Sequence, residues 1–173
     1  MSSTICQRRI PTFAEHRAAL QEALVNVAQE GFFAFAEICD ADRFAEAVAM
    51  AGMRSDGSAD RWLRSRVEFN GAFAGAMEMT LPYALAADLL MAFTGLTPDE
   101  AVPENHVFDS TGEFANMVCG TWLTHACVRR RFDLGSPFVM LACLPVERPT
   151  DGQEELVLVN DQPVSLRLEF RPS

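Results

Sequence analysis

A chain of 173 residues is long enough for one compact domain and too short for two ordinary ones, so residues 1–173 read as a single domain. Its net charge of −10 disfavours nonspecific binding to nucleic acid or to an anionic membrane surface. No stretch approaches the roughly 20 apolar residues of a membrane span. The opening MSSTICQRRIPTF lacks the apolar core of a secretory signal, so a cytoplasmic location with no membrane partner is expected. The cysteines (Cys6, Cys39, Cys119, Cys127, Cys143) are odd in number and form no C-x-x-C pair. They read as small buried hydrophobes, not as a disulfide framework or zinc knuckle.

In chain order, residues 12–37 read as a long helix, with Thr12 at its N-cap and Glu15 at the capping-box position. Asp40 is expected to cap a short second helix whose apolar side is Phe44, Ala47, Val48 and Ala51, ended by Gly52. Residues 54–60, rich in Gly, Ser and Asp, are expected to be loop. From Trp62 the pattern alternates like a half-buried strand up to the turn signal Asn70-Gly71, and residues 73–81 read as the returning strand, stopped by Pro82. A helix over 83–95 closes at Gly95, and Pro98 and Pro103 bound a loop. A second long helix runs from about 107 to 128. Residues 131–144 are strand-like around Gly135-Ser-Pro137, residues 145–153 are a turn region, and residues 155–160 with 163–170 suggest a closing hairpin. Helices and strands segregate, which predicts an α+β fold of two layers, long helices packed on an antiparallel β-sheet.

The chemistry concentrates in the second long helix. At about 100° per residue, Asp109, Glu113, Asn116 and Gly120 share one narrow arc. Phe108, Ala115, Cys119, Trp122 and Ala126 lie on a neighbouring face that Val107, Phe114 and Val118 continue. More than half of the circumference is apolar, so the helix is pressed onto a core and shows water a thin polar stripe. Within that stripe a carboxylate and an amide three residues apart are adjacent and point the same way. Gly120, one turn on, leaves the surface flat enough for another protein to approach. The bland alternative is a solvated stripe, which every surface helix needs.

The longer pattern D-x-x-x-E-x-x-N-x-x-x-G, here Asp109, Glu113, Asn116 and Gly120, resembles the signature helix of the CheC/CheX chemotaxis phosphatases. The resemblance extends to Val67-Glu-Phe-Asn-Gly71 with Gly75 to Pro82 as the family's first hairpin, to Leu85–Gly95 as the helix after it, and to Phe132–Pro137 as the strand after the signature helix. It covers about residues 62–170 in the family's order. Residues 40–60 are longer than the family pattern and read as an insertion. The second signature that some relatives carry on the first helix is not matched, since Glu22 and Asn26 are four apart; one site per chain, as in the CheX branch, is expected.

The resemblance implies a phosphatase acting on the phospho-aspartate of a CheY-like response regulator. Asn116 would orient the attacking water and Glu113 would pair with the regulator's lysine, with Asp109 and Gly120 supporting the motif. It implies no cofactor of the chain's own, with Mg²⁺ supplied by the regulator, and a homodimer joined through sheet edges. The alternative from another class is a noncatalytic docking module of the same fold, related to flagellar switch proteins. A metal site on His106, Asp109 and Glu113 is a poor prospect, because no further His or Cys stands nearby. His125 reads as a core or boundary histidine. The basic clusters Arg61, Arg64, Arg66 and Arg129–Arg131 are candidates for helix capping or for docking a partner.

Overall fold

The computed structural model describes residues 11–53, 61–96, 102–142 and 154–171. Its centre is one antiparallel sheet of strands β1 (Ala36–Ile38), β2 (Trp62–Gly71), β3 (Ala74–Pro82), β4 (Phe132–Leu134), β5 (Phe138–Ala142), β6 (Glu154–Val159) and β7 (Gln162–Arg171). The order across the sheet is β1-β6-β7-β3-β2-β4, and β5 pairs with the other half of β2. Helices α1 (Phe13–Asn26), α3 (Tyr83–Thr94) and α4 (Glu104–Ala126) contribute to one continuous core with one sheet face. The expected α+β architecture of helices on an antiparallel sheet is therefore found. The short helix α2 (Ala41–Gly52) packs instead on β6 and β7 through Phe44, Ala47 and Ala51, which lie outside that core. No helix among the described residues is long and apolar enough to cross a membrane.

Several local expectations hold for the reasons given. The Thr12 N–H donates to the Glu15 carboxylate at 2.8 Å, and the Asp40 carboxylate accepts from the Arg43 N–H at 2.9 Å. Gly95 ends α3 in the left-handed conformation. The closing hairpin turns on Asn160 and Asp161, both at positive φ, the pair of left-handed residues that a two-residue hairpin loop needs.

The first helix is shorter than expected. It gives way at Val27 to a π-helical turn ending at Gly31, and the chain then enters β1, whose Ala36 and Glu37 fall within the helix expected over 12–37. The Ala34 N–H closes the turn by donating to the Ala28 carbonyl at 2.8 Å, with Phe33 at φ 53°. This is the position where glycine is the usual helix-ending residue, so the sequence carries no such signal there. Strand β1 exists because β6 pairs with it and because the Asn160 side-chain oxygen accepts from the Phe35 N–H at 2.9 Å. A second difference is Asn70-Gly71, which is not the turn but the end of β2. A Cβ on Gly71 would lie 2.3 Å from the Arg131 carbonyl oxygen, so glycine there admits β4. The strand-like stretch after α4 is two strands on one neighbour, broken at Gly135–Pro137. The turn region 145–153 and the loop 54–60 lie outside the described residues.

Two of the buried polar side chains are titratable, Glu155 and His16. Glu155, fully buried on β6, accepts from Arg17 Nε at 2.7 Å and from Gln21 Nε2 at 2.8 Å, which ties α1 to the sheet. His16, also on α1, sits among Phe73, Trp122 and Phe170 with ring centroids 5.4–5.5 Å away. Its Nδ1 has no hydrogen-bond partner, and burial lowers its pKa against a smaller opposing effect of Glu15.

Removing Arg17 strands the Glu155 charge. Because the guanidinium is 55% exposed, Arg17→Ala should cost about 2 kcal/mol, below the usual range for a fully buried pair. The exposed pair of Arg171 and Glu68 should be worth under about 0.5 kcal/mol; urea unfolding of both alanine variants checks the contrast. For His16, the unfolded chain takes up a proton as pH falls below its ordinary value of 6.5, while the folded chain resists until its lowered pKa is reached. Stability should thus decline as pH falls through that window. In His16→Phe the decline, followed by thermal unfolding at pH 5 to 7.5, should flatten.

Candidate functional site

Helix α4 is fixed at its start by Arg61, whose guanidinium pairs with Glu104 and lies 4.1 Å over the Tyr83 ring. Arg66, from the same basic cluster, bridges Glu78 at 2.5 Å and Glu169 at 3.0 Å across three strands. Two of those three arginines are thus structural.

Along its length α4 buries Val107, Thr111, Phe114, Ala115, Val118, Cys119 and Trp122. Burial pushes the Cys119 thiol up to about 12, so it is a packing residue. What is left exposed is a trough between two walls. One wall is the π-turn, where Phe32 meets Phe114 edge-on at 4.8 Å and Gly31 abuts Met117. The other is the β4–β5 edge, where Pro137 lies 3.1 Å from the place a Cβ on Gly112 would take. The sequence reading missed Gly112, although a glycine inside a helix costs about 1 kcal/mol relative to alanine and so signals a reason. Here the reason is the close approach of Pro137.

All four stripe residues follow one another along the trough. Asp109 and Glu113 are exposed, and Asn116 and Gly120 are half-buried. Neither carboxylate forms an ion pair with a described residue, and Asn116 Oδ1 is enclosed without a hydrogen-bond partner. This corrects the expectation that the Asn116 side chain simply faces water, since one of its polar atoms is enclosed. At i and i+3 on one helix, Glu113 and Asn116 have Cβ atoms about 5–6 Å apart.

Past Gly120 the trough opens into a hollow of ≈ 380 Å³ lined by Gly120, Thr124, Arg130, Arg131, Asp133 and Leu134, among others. A Cβ on Gly120 would meet Leu134 at 3.5 Å, an ordinary contact, so this glycine is not demanded by packing. His125 is exposed in the last turn of α4, not the core or boundary histidine expected; His16 is an enclosed histidine. Among the described residues no three His, Cys, Asp or Glu side chains are grouped to hold a metal ion.

The sequence profile of the family described as chemotaxis phosphatase CheX matches residues 64–153, just over half of the chain, and the chain belongs to that family. The match includes all of α4. Similar solved structures agree in fold. The chemotaxis protein CheX of Vibrio vulnificus has a TM-score of 0.63 at 17% identity, covering 93% of this chain and 99% of its own. A CheX of Desulfovibrio desulfuricans gives 0.62 at 14% identity, with 91% and 99% covered. FliY of Thermotoga maritima gives 0.53 at 12% identity, with 94% and 92% covered. No curated protein matches the chain.

Proposed function

We propose that this member of the chemotaxis phosphatase family hydrolyses the phospho-aspartate of a CheY-like response regulator, with Glu113 and Asn116 as its working residues. The observation that carries the reading is Asn116: on the polar stripe of a helix held by packing, its amide oxygen is enclosed with no hydrogen-bond partner. An acyl phosphate is already reactive, and its loose transition state needs chiefly an in-line water and balanced charge. An amide can both accept from and donate to that water without ionising. The water oxygen attacks phosphorus, the bond to the regulator's aspartate breaks, and inorganic phosphate leaves with the aspartate restored as a carboxylate. Glu113, exposed one turn away, pairs with the regulator's lysine and fixes the approach. The Mg²⁺ of the reaction belongs to the regulator, and the chain contributes no cofactor.

The fold alone does not choose between catalysis and docking. The unpaired carboxylate and amide favour catalysis, because a docking surface has no need of them. The same reading makes the whole chain, residues 1–173, one such domain that works as a homodimer. Strand β5 offers the pairing edge: among the described residues nothing pairs with its outer side, and Phe138, Met140 and Leu141 are exposed on it.

Asn116→Ala should lower turnover by about 100-fold or more, the range for loss of a positioned polar group. Its effect on stability should stay near 0.5 kcal/mol, because the amide oxygen accepts no hydrogen bond whose loss would be felt. Glu113→Ala should lose activity and bind the regulator more weakly. Phosphate release and thermal unfolding on the same variants check this, and full activity in Asn116→Ala would sink the assignment. Light scattering at micromolar concentration should report a dimer that Met140→Glu converts to monomer; monomer throughout for the wild type would contradict the edge pairing.

A further inference from the structure

The turn after α4 concentrates positive charge where the rest of the molecule has little need of it. Arg129, Arg130 and Arg131 are consecutive and exposed, in a chain whose net charge is −10. None of them forms an ion pair with a described residue, whereas Arg17, Arg43, Arg61, Arg66 and Arg171 are all engaged by carboxylates. Two of the three, Arg130 and Arg131, line the hollow that continues the trough past Gly120. Gly120 is four residues from Asn116 on one helix, about 6 Å along its axis. The hollow therefore begins one turn from the amide. Its lining also holds Asp133 and the apolar Leu123 and Leu134.

We propose that this hollow is the docking site for a carboxylate-bearing segment of the phosphorylated regulator, bound by Arg130 and Arg131 beside the phosphorylation site; this rests on the phosphatase reading above. Charge complementarity identifies the occupant. A site that holds Mg²⁺ and presents an aspartyl phosphate is built from carboxylates, so the rim brought down on α4 is acidic. An acidic protein repels such a rim except where it concentrates guanidinium groups. All 14 basic residues of the chain are arginines, the side chain suited to forked contacts with carboxylates. The flat Gly120 lets the partner's backbone close over the helix between the amide and the arginines. Its glycine is explained by this approach, since packing alone would accept alanine there. Charges placed at a rim act on encounter and salt dependence more than on the chemical step, which sets the arginines apart from Asn116.

The test is the double charge reversal Arg130→Glu with Arg131→Glu, assayed on the host's receiver domains. Binding is measured with receivers carrying beryllofluoride and Mg²⁺, and phosphate release with the phosphorylated forms. Affinity and kcat/KM should fall tenfold or more at low salt, and their dependence on salt should flatten, while kcat at saturation stays within twofold of wild type. The control Arg64→Glu with Arg167→Glu carries the same charge change on exposed strand positions and should leave both unchanged. If the reversal unfolds the chain, the alanine pair at 130 and 131 is measured instead, with a threefold or greater loss expected. Wild-type affinity and salt dependence in the folded variant would overturn the inference, as would failure of every receiver to bind the wild-type chain. Binding without phosphate release by the wild type would instead overturn the phosphatase reading, and the docking site would still be judged by the binding arm.

Discussion

The structure depends on how helix α4 is buried. Trp122, Phe114, Val118 and Ala115 press it onto Phe69 and the rest of the sheet core, and Trp122 meets Phe69 and His16 at ring-centroid distances near 5.3–5.4 Å. Truncating a buried aromatic of this kind costs roughly 3–5 kcal/mol. That grip fixes the helix in both rotation and height. Rotation decides which residues reach solvent, and height decides where Gly112 meets Pro137. A helix held this way keeps a polar stripe at a defined place without any hydrogen bond to the stripe itself.

This separation of duties runs through the molecule. Several charged groups that hold the frame are paired: Arg17 and Gln21 on Glu155, Arg66 between Glu78 and Glu169, and Arg61 on Glu104 and Tyr83. The groups along the trough are left unsatisfied. An unpaired polar atom inside a wall is costly unless something else uses it, and such atoms are uncommon in folded proteins. Among the described residues Asn116 carries one, as do His16 and Trp122 in the core; a water or a partner's phosphoryl group in the trough would satisfy that of Asn116.

Much of this was legible in the sequence, and the exceptions have physical causes. The pattern of α4 was readable because its apolar arc is wide and its polar arc narrow, and the residues of that narrow arc do line one trough. The hairpin of β6 and β7 was readable from its alternation. Strand β1 was not, because three residues become a strand only by pairing with β6, and the helix before them ends on Phe33 where a glycine would have signalled the break. Asn70-Gly71 misled for a related reason: its glycine serves the close passage of β4, which sequence order does not reveal. His125 was misjudged because helical position alone cannot say where a helix ends relative to its sheet. The walls of the trough were invisible altogether, since they come from segments 80 residues or more away on one side and from a strand break on the other.

The most direct measurement of the central claim is a crystal structure of this chain with a response-regulator receiver domain carrying beryllofluoride and Mg²⁺. The account predicts the receiver seated on the trough of α4, the Asn116 amide within about 3 Å of the water or fluoride in line for attack, and Glu113 against the receiver's lysine. A receiver bound on the far face of the sheet, with the trough left open to solvent, would contradict it.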